Sequence, residues 1–258
     1  MIRFASLGSG SKGNATLIES GANDNDTRLL LDCGFSIKEI EKRFAKLDRK
    51  VETIDAIVVT HEHSDHIIGV GRLSRKYNIP VWLTPGTWDA CRDSAFAETH
   101  FIDSHTDFEI QDIKLHPFPV PHDAREPCQF VFSDGAKRLG IATDLGCYTP
   151  HIVKHLNRVD GLLLECNYDQ HMLMGGAYPQ SLKERVASVK GHLDNTHATQ
   201  LLKSLDLPQL QHIIGMHVSE KNNLPEFATN ALCNGLNCEE NAVSLASQTD
   251  GFSWRELR

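Results

Sequence analysis

At 258 residues the chain can bury a large core, and its ordinary balance of apolar and charged residues excludes a disordered or collagen-like protein. Its 26 basic and 34 acidic residues leave a formal charge of −8, which excludes bulk attraction to nucleic acid, so such a substrate would need a locally positive site. No run approaches the roughly 20 apolar residues of a membrane span, and the short apolar start runs into Gly and Ser too soon for a signal peptide.

Seven cysteines, odd in number and without a CxxC pair, fit free thiols in a reducing, cytoplasmic setting better than a disulfide framework. No linker, low-complexity tract or repeat divides the sequence, so residues 1–258 read as one domain.

In chain order, residues 2–7 predict a strand, Gly8 to Gly13 a turn, and 15–19 and 28–32 two further strands. Ser36 caps a helix in which Ile37, Ile40, Phe44 and Leu47 share one face. Residues 55–60 form a short buried strand, and 66–77 a single helix. The middle is strand-rich, at 81–83, 108–110, 113–118, 129–133 and 139–143. A helix at 150–156, a strand at 161–165, helices at 181–190 and 196–205, and a strand at 212–216 follow. Two groups of strands with helices between and after them suit two β-sheets packed face to face with helices outside.

The chemistry gathers at Thr60-His61-Glu62-His63-Ser64-Asp65-His66, directly after the apolar strand. Three imidazoles and a carboxylate within six residues are too polar for a core, and the imidazoles would repel one another once protonated. A divalent metal resolves both problems. His61 and His63, alternate on extended backbone, project together, while Asp65 and His66 begin the next helix and face a second ion. A solvated polar turn is the bland rival, and the density of ligands outweighs it.

Residues 60–66 resemble the HxHxDH signature of the metallo-β-lactamase superfamily. The same order continues with His122 after a strand, Asp144 at a strand end and His217 at the end of the last buried strand. Alone, each would read as a surface histidine or a turn residue; their shared order and strand-end placement join them. The resemblance implies an α/β protein with an αββα sandwich and two divalent metal ions, zinc or manganese, with iron also compatible. One ion takes His61, His63 and His122, the other Asp65, His66 and His217, with Asp144 between them.

Further segments resemble the YycJ/WalJ-like branch of that superfamily: Leu7 to Asn14, Asp32-Cys33-Gly34, Glu165-Cys166-Asn167-Tyr168-Asp169, Tyr178-Pro179-Gln180, Gly191-His192-Leu193-Asp194-Asn195 and His217 to Asn223. That branch is similar to tRNase Z and to phosphonate-pathway phosphodiesterases, and is associated with 5′-to-3′ DNA exonuclease activity. The resemblance implies a phosphodiester hydrolase whose nucleophile is a hydroxide bridging the metals, with Asp65 and His192 as catalytic residues and His192 as general acid. Five neutral histidines and two aspartates around two divalent ions would leave a local charge of about +2, enough to draw a phosphodiester to an acidic protein.

Candidate substrate contacts are Ser9, Ser11 and Asn14 in the first turn, Asn167, and Ser219, Lys221, Asn222 and Asn223 after the last strand. Lys183, Arg185 and Lys190 read as solvated helix charge. Gly8-x-Gly10-x-x-Gly13 leads into a strand instead of a helix, which excludes a nucleotide cofactor there. The alternative function is hydrolysis of a small substrate such as a cyclic phosphate, thioester or lactone. No feature specifies an oligomer.

Overall fold

The computed structural model describes residues 1–21 and 26–258. β1 (Ile2–Gly8), β2 (Ala15–Glu19) and β3 (Arg28–Leu31) form an antiparallel meander. The chain crosses through α1 (Ile37–Lys46) to β4 (Ala56–Val58), parallel to β3. Next come α2 (Ser64–Ile67), α3 (Val70–Tyr77), β5 (Val81–Leu83), α4 (Pro85–Ala90) and β6 (Thr99–Phe101), with β5 and β6 extending the parallel part.

The second half opens with β7 (Phe108–Ile110), β8 (Ile113–Pro119), β9 (Cys128–Ser133) and β10 (Arg138–Ala142), each antiparallel to the one before. α5 (Pro150–Leu156), β11 (Gly161–Glu165), α6 (Gln170–Gly175), α7 (Gln180–Val186), α8 (Asn195–Ser204), β12 (His212–Met216), α9 (Pro225–Leu236) and β13 (Val243–Leu245) follow. β14 (Phe252–Leu257) then returns to pair with β1. The two sheets run β14-β1-β2-β3-β4-β5-β6 and β13-β12-β11-β10-β9-β8-β7.

Alternation along the strands sorts the apolar residues into three layers. Leu29, Leu31 and Val58 of the first sheet meet Phe130, Phe132, Leu163 and Ile214 of the second between the sheets. Leu30 and Ile57 point outward onto Ile40, Phe44 and Leu73 of the helices. Leu162 and Leu164 pack outward on Ile152, Leu156, Leu201 and Leu232. Both faces of each sheet are therefore covered, as the uninterrupted apolar strands require. Each such side chain contributes about 1.5–3 kcal/mol of burial. This is the expected αββα sandwich.

The direction of the strands places the chemistry. β3 and β4 run parallel, and β8, β10, β11 and β12 share one direction because β9 is antiparallel to both β8 and β10. Their carboxyl ends lead to Asp32, Thr60, His122, Asp144, Glu165 and His217. The crevice outside the carboxyl ends of parallel strands is where open α/β sheets bind ligands.

Several elements depart from the sequence expectations. The helix expected over 66–77 is two, α2 and α3, parted at Ile68 and Gly69. A Cβ on Gly69 would lie 2.0 Å from the Phe35 carbonyl oxygen, and its amide donates to Cys33 O at 2.9 Å, so the loop after β3 pulls the helix apart. α7 stops at Val186, four residues early, with Ala187 as its cap. β6, β13, β14 and helices α4, α6 and α9 were not anticipated. Their strands are short or half-buried, and their helices lack a clear apolar stripe. No described helix is long and apolar enough to cross a membrane, and all seven cysteines are free.

Gly34 ties the fold to the loop carrying the histidines. A Cβ there would sit 1.8 Å from the backbone oxygen of Asp65. Gly34→Ala is expected to cost about 1–3 kcal/mol in urea denaturation, as overpacking does, and to weaken metal uptake in the same protein. Unchanged values for both would show that the loop does not depend on this close approach.

Candidate metal centre

After β4 the chain bends at Thr60, and His63, in extended conformation, is the N-cap of α2, so Asp65 and His66 enter the first helical turn. His61 and His66 are 1% exposed and His63 is half-buried. His61 Nδ1 lies 2.9 Å from Thr60 Oγ1, and the same hydroxyl donates to Asp32 Oδ2 at 2.8 Å. Asp32 Oδ2 also takes His66 Nδ1 at 2.8 Å. His122 comes from the other sheet; its Nδ1 donates to Gly191 O at 2.9 Å, and its Nε2 lies 3.2 Å from His63 Nδ1. His217 ends β12, its amide donating to Ser9 Oγ at 2.8 Å and its Nδ1 lying 3.3 Å from Glu165 Oε1.

His61, His63 and His122 each bring a ligand atom within 4.8 Å of the others. So do Asp65, His66 and His217, and so do His61, His66 and Asp144. His66 Nε2 is 3.2 Å from Asp144 Oδ2, and His217 Nε2 is 3.6 Å from Asp65 Oδ2. Three atoms at the centre, His61 Nε2, Asp144 Oδ2 and His217 Nε2, are buried without a hydrogen-bond partner among the described residues. Each such atom costs about 1–3 kcal/mol unless something satisfies it. Imidazole nitrogen and carboxylate oxygen so placed suit a divalent cation, and the Nδ1 atoms of His66, His122 and His217 are turned to carbonyl or carboxylate partners, as in metal-binding imidazoles.

A fourth group of acid and imidazole side chains, Asp144, Glu165, His192 and His217, is a hydrogen-bonded ring behind the first three. The fully buried Glu165 accepts His192 Nδ1 at 2.8 Å, while its Oε2 takes the amides of Leu145 at 2.8 Å and Leu193 at 3.3 Å. With its lone pairs used in this way, Glu165 orients both histidines.

The charges are strongly coupled. Burial, then the neighbouring His66, holds His61 well below its usual range, and burial also lowers His122. Burial opposes the charge on His217, yet Asp144, with the nearby Asp65 and Glu165 carboxylates, pushes it up to about 10. His66 is raised well above its usual value against burial, by Asp144 and Asp32. Asp144 in turn is held well below the carboxylate range, because His217 and His66 outweigh its burial.

Not all the candidate substrate contacts reach open space. The cleft over the imidazoles, about 350 Å³, is lined by His63, Asp65, Asp144, His192 and His217, with Ser11 on one side and Tyr178, Leu182 and Arg185 on another. Ser219 and Lys221 line a smaller adjoining recess of about 170 Å³. The other five candidates face inward, a correction to the sequence reading. Ser9 holds the His217 amide; Asn14 bonds Gly10 and reaches the Asp65 backbone at 3.3 Å; and Asn167 donates to His217 O at 2.7 Å. Asn223 donates to Cys166 O at 2.9 Å, and Asn222 is 3% exposed. They shape the site from behind.

Arg185 corrects the sequence reading in the other direction: it is on the cleft wall, with Nε 2.5 Å from Asp123 Oδ2. The supporting roles of Asp32, Glu165 and Thr60 were also missed, although Asp32 and Glu165 close apolar strands just as Asp144 does, and that signal was available.

The profile described as "Beta-lactamase superfamily domain" matches residues 27–217. The chain belongs to the β-lactamase superfamily. Among superfamily relatives it is similar to Exodeoxyribonuclease WalJ of Streptococcus pneumoniae serotype 2, 34% identical over 241 residues, covering 91% of this chain and 88% of that one. It is similar as well to Exodeoxyribonuclease YycJ of Bacillus anthracis, 34% identical over 231 residues, covering 88% and 86%. The metallo-β-lactamase fold protein YhfI from Bacillus subtilis shares the architecture, with a TM-score of 0.75, 16% identity, and coverage of 99% of this chain and 100% of the other.

In this superfamily member the raised His66 and His217 must each lose a proton before the Nε2 can take a cation, whereas His61 and His122 are already neutral. Zinc titrated into metal-free protein at pH 7.5 is expected to release about two protons, and its apparent affinity to rise with pH up to about 10. Calorimetry in buffers of different ionisation enthalpy would count them; release of none would show that these imidazoles are not cation ligands.

Proposed function

We propose that this protein is a metal-dependent DNA exonuclease, acting in the 5′-to-3′ direction as one catalytic domain over residues 1–258 in the cytoplasm. The reading is carried by the three bare, buried ligand atoms of His61, Asp144 and His217 beneath an open cleft. Similarity to two proteins named exodeoxyribonucleases over nearly the whole chain supports the substrate. On this reading His61, His63 and His122 hold one divalent cation, Asp65, His66 and His217 a second, and Asp144 lies between. Zinc and manganese suit such donors, and iron is also compatible. Two such cations would supply a water of lowered pKa and positive charge for the phosphate oxygens.

The side chains do the rest. Asp32, Glu165 and the Gly191 carbonyl hold His66, His217 and His122 in their ring orientations, so little reorganisation is needed when charge builds at phosphorus. The nearby His217 and the charge of His66 keep Asp65 ionised against its burial, at the cleft floor, where it would orient the attacking water. His192 gives Nδ1–H to Glu165, leaving Nε2 to pass a proton to the departing oxygen of the strand. Ser11 and Lys221 offer a hydroxyl and a cation to flanking phosphates.

A panel of end-labelled single- and double-stranded DNA and RNA, with zinc or manganese, tests the reading. Mononucleotides are expected to leave DNA from the 5′ end, and Asp144→Asn to abolish release. Turnover of a dinucleotide or cyclic diester without any polynucleotide cleavage would move the protein to the small-phosphodiester hydrolases. His192→Ala is expected to keep its metal content and lose about 10²–10⁴ in kcat, the usual weight of a general acid. Full turnover by that variant would remove His192 from the mechanism.

A further inference from the structure

A second cavity, of about 450 Å³, lies beside the cleft and joins it through His63 and Ser64. None of the substrate contacts considered above lines it. Its apolar side is made by Ile67, Ile68 and Ala90, from the junction of α2 with α3 and from the end of α4. Ile68 is 62% exposed and gives the cavity an open aliphatic surface.

Arg72 and Arg92 supply the charge of this cavity. Among the described residues neither guanidinium donates a hydrogen bond or forms an ion pair; Arg72 meets Asp93 only as a through-space field. The acids of the cavity are engaged elsewhere. Asp93 takes both terminal nitrogens of Arg75, at 2.8 and 2.9 Å, and Glu62 Oε1 accepts the Arg125 amide at 2.7 Å, while Glu62 Oε2 has no hydrogen-bond partner among the described residues and leaves the arginines to offset its charge.

Two other cations near the cleft are paired within the protein, Lys12 with Glu220 and Arg185 with Asp123, both at 2.5 Å. In a chain of net charge −8, the two arginines without an acid partner stand on a half-apolar cavity that opens into the metal cleft.

We propose that this cavity is a nucleotide subsite for the DNA strand. The strand crosses the ridge at His63 and Ser64, a base rests against Ile67 and Ile68, and Arg72 and Arg92 each take a backbone phosphate. Guanidinium is suited to this, since its planar fork matches phosphate oxygens and is weakly hydrated. The proposal takes the identity of the strand from the phosphodiesterase reading above, but of the candidate ligands only His63 lines the cavity and Arg72 and Arg92 belong to no ligand group, so the two fail separately.

The test is binding of a fluorescent single-stranded phosphorothioate DNA, resistant to cleavage, to the metal-loaded protein by anisotropy across a salt series. Arg72→Gln/Arg92→Gln is expected to raise Kd by about tenfold or more. It should also reduce the slope of log affinity against log salt by about 1.4, at about 0.7 per phosphate contact on a single strand. Ile68→Asp is expected to weaken binding further, through loss of the base contact. Turnover of bis(4-nitrophenyl) phosphate, too short to span cleft and cavity, should remain at the level of the unsubstituted protein and report intact folding. Unchanged Kd and slope in the double variant would overturn the proposal. Arginine-dependent binding by a protein that cleaves no polynucleotide would uphold the subsite and overturn the exonuclease reading instead.

Discussion

Three buried carboxylates interleaved with imidazoles are the constraint on which the site depends. Asp32, Asp144 and Glu165 are each at most 3% exposed, and between them they contact His66, His192 and His217. A carboxylate taken out of water alone costs several kcal/mol. Here the cost is offset by facing imidazoles and by backbone amides, Thr60 to Asp32 at 2.9 Å and Leu145 to Glu165 at 2.8 Å. Asp32, Asp144 and His217 also adopt positive φ, of 60°, 53° and 52°. Such conformations cost about 1–3 kcal/mol each and persist only where the surroundings over-determine them. The two-faced burial of both sheets provides that.

The same interleaving explains how one cluster can serve both charge states. Without a cation, His66 and His217 balance the carboxylates as acids; a bound cation would take over that role and leave the imidazoles as neutral donors. His61 and His122, short of carboxylate partners and buried, stay neutral throughout. The oxygens of Asp144 face both halves of the cluster, so the position between them falls to a side chain already ionised.

The charge of this acidic chain is unevenly distributed: near the cleft Lys12 and Arg185 are paired with acids, while Arg72 and Arg92 on the flanking cavity form no ion pair among the described residues. Local field, not net charge, governs where an anion settles on such a surface.

The sequence by itself determined the architecture and the ligand cluster to a large degree. Apolar strands punctuated by His and Asp at their ends are readable because strand direction carries successive ends to one edge; strands apolar on both faces gave the layered α/β class, and the αββα sandwich itself came with the family resemblance. The N-cap at Ser36 and the helix at Pro150–Leu156 were legible for the same local reasons. Only the tertiary structure decided which way side chains turn. Asn167 and Asn223 sit in motifs beside the ligands yet bond inward, Arg185 leaves a run of helix charge for the cleft, and β14 crosses the whole chain length to pair with β1. Those outcomes rest on contacts between residues far apart in sequence, whose energies no local pattern of residue types encodes.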